Sequence, residues 1–157
     1  MQGATVHRPI VGILLGGGVA ATLDIVYAIL RSGQHGVTPL WVLQSVASGW
    51  LGSDAFASGM LGGIVGLLSH YGILLVGASV YFAVSRRLLD LQSQAVACGA
   101  LFGVLVYLFM NFVVIPLSAF PYKLSYPPLK LLEGFVSHAV LVGIPIALAI
   151  CRFSRIG

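Results

Sequence analysis

Apolar residues run through this chain in long unbroken blocks rather than alternating or recurring as a narrow stripe. Residues 55–85, 91–122 and 134–151 contain no Lys, Arg, Asp or Glu, and 9–30 contains only Asp24. A helix needs roughly 20 apolar residues to cross a bilayer. The pattern therefore predicts four transmembrane helices at about 9–30, 59–85, 94–117 and 131–151, in one domain covering 1–157. Runs this long exclude the short alternating strands of a membrane barrel. The first block continues through Ile29 and Leu30, beyond an ordinary signal-peptide core, which favours an uncleaved first helix.

The connections carry their own signals. In "TPLWVLQSVASGWLG", Thr38 stands as a cap before Pro39, and Leu40, Leu43, Ala47 and Trp50 form an apolar stripe beside Gln44, Ser45 and Ser48. This predicts a short uncharged helix at about 38–51, lying in the interface or re-entering the bundle as a lid. The later connection "PLSAFPYKLSYPPLK" has prolines that favour a stiff, extended path, with Tyr122 and Tyr126 suited to the headgroup level. Gly143 and Pro145 mark a kink in the last helix.

Composition agrees with the pattern: 59% hydrophobic and 8% charged residues define a membrane protein, with the lipid bilayer as its first partner. Four spans put Arg8, Arg86, Arg87, Arg152 and Arg155 on one side and Arg31, Lys123 and Lys130 on the other, which predicts both termini in the cytoplasm. The net charge of +4 then reflects orientation, and no basic stripe points to nucleic acid. Cys98 and Cys151 fall near cytoplasmic helix ends, where thiols stay reduced. No zinc motif is present, no metal site is predicted, and no cofactor is specified.

Gly12, Gly16 and Asp24 in the first helix have the same spacing as Gly99, Gly103 and Asn111 in the third, and "GLLSH" (66–70) matches "GFVSH" (134–138). The expected architecture is thus an all-α integral membrane four-helix bundle made of two tandem helical hairpins related about the membrane normal. At about 1.5 Å per residue, Asp24, His70, Asn111 and His138 all lie about 21–26 Å above the cytoplasmic boundary and form one candidate buried polar layer. Ser69, Ser137, Tyr107 and Glu133 are candidate supporting residues. Small residues sit one or two turns from each polar group and mark packing faces: Gly12 and Gly16; Gly62, Gly63 and Gly66; Gly99 and Gly103; Gly134.

An ionisable residue in a span is a functional-site hypothesis by default. Three readings of the layer stay open. It is a transport-related or proton-responsive site centred on Asp24 and two histidines. It is packing glue in an assembly component whose glycine faces bind a second copy or another membrane protein. Or His70 and His138 ligate a haem in a b-type electron-transfer protein. A hydrolase is not expected: Ser69 and Ser137 precede their histidines directly and sit about 100° away around the helix. Glu133 is either a helix-start charge or an acid at the mouth of the layer.

The glycine-rich helix carrying His70, the segment "NFVVIPLSAFP" and the final "EGFVSH" resemble uncharacterised bacterial inner-membrane proteins of the YagU type. The resemblance covers mainly the last 100 residues. It implies a bacterial inner-membrane location and an association with acid tolerance. That class carries histidine where this chain has Asn111.

Overall fold

The computed structural model describes residues 8–87 and 94–154; Arg155, one of the basic residues used for orientation, lies outside them. In chain order the helices are α1 (Pro9–Gly33), α2 (Pro39–Leu51), the single turn α3 (Asp54–Ala57), α4 (Gly59–Ser85), α5 (Ala95–Leu117) and α6 (Pro128–Phe153). The four long helices are apolar enough to span a membrane. The protein is a multi-pass, all-helical membrane protein. Helix α6 starts earlier than expected because Pro128 occupies the first turn, where a missing N–H costs nothing.

The spans pack in the order α4, α1, α6, α5. Adjacent glycines place α1 between its two neighbours. A Cβ on Gly16 would press on Ile146 and Ala149 of α6, and one on Gly17 would press on Leu74 and Leu75 of α4. The α5–α6 contact is closer still, backbone against backbone: Gly99 faces Gly143 and Ala147, and Gly103 faces the His138 carbonyl. Both Gly-x-x-x-Gly pairs therefore bear on α6, although α1 and α5 occupy corresponding places in the two hairpins.

Helix α2 is capped as expected, with Thr38 Oγ1 accepting the Trp41 N–H at 3.2 Å. Its buried side differs from the expected stripe: Trp50 is exposed, while Gln44 and Ser48 are buried. The reason is its neighbour. The chain lays α2 on the glycine face of α4, where Gly66 has no room for a Cβ under the Leu43 carbonyl, and Gln44 Nε2 donates to the Gly59 carbonyl at 2.9 Å. Gly49 accepts the N–H of Ala119, just past α5, at 3.0 Å. At this end of the bundle α2 thus connects α4 to α5, while at the other end Tyr81 meets Phe102 ring to ring at 5.0 Å.

Both hairpin partners α5 and α6 contain a π-helical segment, Met110–Val114 and His138–Gly143. Each is followed, after one isoleucine, by a proline: Pro116 and Pro145. A proline has no N–H, and its ring crowds the carbonyl four residues back. Shifting to wider hydrogen bonds relieves the clash, as seen where Ile115 N–H donates to Met110 and Ile144 N–H to Ala139. Pro116 consequently lies within α5, inside the span expected at about 94–117.

Gly103→Val should destabilise the bundle by about 1–3 kcal/mol or more, because the backbone of α6 cannot yield. Gly72→Ala, which faces open space in α4, should be neutral or stabilising by roughly 0.5–1 kcal/mol. Equilibrium unfolding in mixed micelles compares the two directly. Equal effects would contradict the α5–α6 contact.

Candidate functional site

Asp24 follows Gly16 and Gly17 by two turns, so it faces the same way, into the junction of α4, α1 and α6. Its carboxylate lies between two imidazoles. Oδ2 is 3.9 Å from His70 Nε2 on α4, and Oδ1 is 4.0 Å from His138 Nδ1 on α6. These are ion-pair distances, too long for hydrogen bonds.

Each histidine has a nearer partner that restricts its proton. His70 is buried, and its Nε2 stands 3.0 Å from the Ala21 carbonyl. A carbonyl only accepts, so this nitrogen carries a hydrogen. Ser137 Oγ donates to the Gly134 carbonyl at 3.1 Å and lies 3.4 Å from His138 Nδ1. The adjacent serine thus reaches its histidine, contrary to the expectation from their angular separation, but its own hydrogen is engaged by the backbone. Ser69 points elsewhere, donating to Val65 at 2.7 Å. Tyr107 packs edge-on against His138, with ring centroids 5.0 Å apart.

Asp24 and His138 line the inner part of a cavity of about 570 Å3 that opens at the α2 end of the bundle. Asn111 and Tyr107 contribute its α5 wall. Asn111 sits in the π segment of α5, where its Nδ2 donates to the Tyr107 carbonyl at 2.9 Å and its own backbone carbonyl accepts from Tyr126 at 2.9 Å. His138 opens the π segment of α6. The two proline-induced distortions therefore coincide with two of the polar residues. His70 is not part of the lining; it stands behind Asp24 on the α4 side. The expected layer of four is one cavity-facing set of three and one buried partner.

Sequence reasoning offered Glu133 as an acid at the mouth but missed its partners. Arg31 pairs with Glu133 through two contacts, Nε with Oε1 and Nη2 with Oε2 at 3.2 Å, and the Tyr27 hydroxyl donates to Oε1 at 2.6 Å. The group ties the end of α1 to the start of α6. A signal was available: Arg31 and Glu133 are opposite charges at the same end of two spans. Periodicity alone does not say that those helices touch. Lys130, His35 and Tyr126 complete the rim.

No protein-family model matches the chain, and comparisons with curated proteins and with solved structures also gave no match.

The Arg31 and Glu133 substitutions should be non-additive. Arg31→Gln and Glu133→Gln each remove the same link, so the double variant should lose clearly less stability than the two singles summed. A double-mutant cycle in micelles measures this, and simple additivity would mean that the link contributes nothing.

Proposed function

We propose that this is a non-enzymatic, transport-related or proton-responsive membrane protein whose working group is Asp24. The observation that carries the reading is a carboxylate within 4.0 Å of two imidazoles at the inner part of a cavity open to one side. A charge inside a span costs about 2.5–3.5 kcal/mol on insertion scales. Pairing with an imidazole offsets that cost only when the imidazole carries its second proton. The cluster can thus hold a different proton count as the cavity's pH changes. Beyond Asp24 the bundle is filled by Ala20, Val142, Ile146 and Ile150, so the cavity is closed toward the end carrying Arg8 and Arg152. A bacterial inner-membrane location with both termini in the cytoplasm belongs to the same proposal, supported by the distribution of basic residues and the YagU-type resemblance. It would place the cavity on the outer side.

The other readings fit less well. A haem between His70 and His138 would have to displace the Asp24 side chain and break the bond from His70 to Ala21. Assembly through Gly62, Gly63 and Gly66 would have to displace α2, which already covers them.

Trp41 and Trp50, both on α2, report on the bundle by fluorescence. Between pH 5 and 8 the wild-type signal should change with pH. Asp24→Asn should move or abolish that change without loss of helical circular dichroism, and His138→Gln should do the same. A signal that ignores pH, or a transition unchanged in Asp24→Asn, would sink the proposal.

A further inference from the structure

The hydrogen-bonding groups of the cavity are unevenly committed. At the inner end two lining donors are spent on backbone carbonyls, one amide hydrogen of Asn111 on Tyr107 and the Ser137 hydroxyl on Gly134, and His70 behind the wall is bonded to Ala21. The Tyr107 hydroxyl and the His138 ring also line the cavity, and neither is hydrogen-bonded to Asp24. Acceptors remain. Among the described residues no hydrogen bond reaches either oxygen of Asp24, although an ionised carboxylate offers about four lone-pair sites. At the mouth the balance reverses. Glu133 has both oxygens engaged by Arg31 and Tyr27, whereas Lys130 brings an ammonium with three donors and no acceptor.

We infer that the cavity binds a small zwitterion, with a primary ammonium on Asp24 and a carboxylate toward Lys130. The inference rests on the proposed reading of Asp24 as the working group. An ammonium supplies the hydrogen bonds that Asp24 lacks, and a carboxylate supplies the counter-charge for Lys130. A plain amine must pass Lys130 and gains nothing there. A plain carboxylate meets Asp24. A quaternary ammonium has no N–H to give. The volume of about 570 Å3 falls within the range of small-molecule sites.

Spacing narrows the class further. Arg31 stands two turns beyond Asp24 on α1, and Lys130 stands about two turns before His138 on α6, so the poles are about 10 Å apart along the helices. The long Lys130 side chain shortens that gap. A linear ligand with about five methylene groups between its charges fits it better than an α-amino acid does.

Thermal unfolding of the full chain in detergent at pH 7.5, followed by tryptophan fluorescence, tests this with 6-aminohexanoate, hexylammonium and hexanoate as probes. Only 6-aminohexanoate should raise the midpoint, by about 2–4 °C at several times its dissociation constant. Asp24→Asn should remove the shift. Lys130→Gln, an exposed change, should reduce 6-aminohexanoate to the level of hexylammonium. If Asp24→Asn does not fold, Lys130→Gln and the ranking of the three probes decide. An equal response to all three, a preference for hexylammonium, or no response overturns the zwitterion. No response alongside an intact, Asp24-dependent pH transition rejects the ligand class and leaves the proton site standing; loss of both rejects both.

Discussion

A carboxylate in the middle of an apolar helix has to be accommodated by the rest of the molecule, and the packing order of this bundle follows from how Asp24 is surrounded. Helix α1 lies between α4 and α6, so an imidazole reaches Asp24 from either side. That position requires two close approaches on one short arc of α1. Gly16 admits α6 and Gly17 admits α4: a Cβ would stand 3.1 Å from Ile146 at the first and 2.9 Å from Leu75 at the second. The small-residue faces and the polar cluster are thus parts of one arrangement.

The open side of the cluster depends on α5 and α6 being distorted in step. A four-residue repeat drifts by about 40° per step around a regular α-helix. Asn111 extends the row Gly99, Gly103, Tyr107, and His138 extends Gly134, so each row leaves the contact face unless the helix is locally underwound. Pro116 and Pro145 force wider turns just there, and both polar residues stay on the cavity wall while the glycines below keep the backbones together. Distortions of this kind occur often at functional sites, because they re-aim side chains without ending the helix.

The mouth follows different physics. Arg31, Glu133 and Lys130 are partly or largely exposed, where solvent screens charge. Their contribution lies in position: one ion pair and the Tyr27 hydroxyl hold the ends of α1 and α6 beside the opening, while Tyr126 braces the connection on the far wall. Burial pushes the Tyr126 phenol above its ordinary range, and its hydroxyl donates to the Asn111 carbonyl.

Much of this was legible in the chain because a bilayer punishes local errors heavily. Uninterrupted apolar runs determine four spans by themselves, since no other element satisfies its backbone in lipid. The cost of an intramembrane charge singles out Asp24, and helical depth brings His70, Asn111 and His138 to its level. Periodicity gives each polar residue a direction along its own helix but says nothing about which helix stands opposite. Only the tertiary packing decided that α1 lies between the two histidine helices, that His70 is buried behind the carboxylate while Asn111 faces the cavity, that α2 covers the glycines of α4, and that Arg31 meets Glu133. Those are pairings between surfaces distant in sequence, selected by which backbones can approach closely enough, and no one-dimensional pattern encodes them.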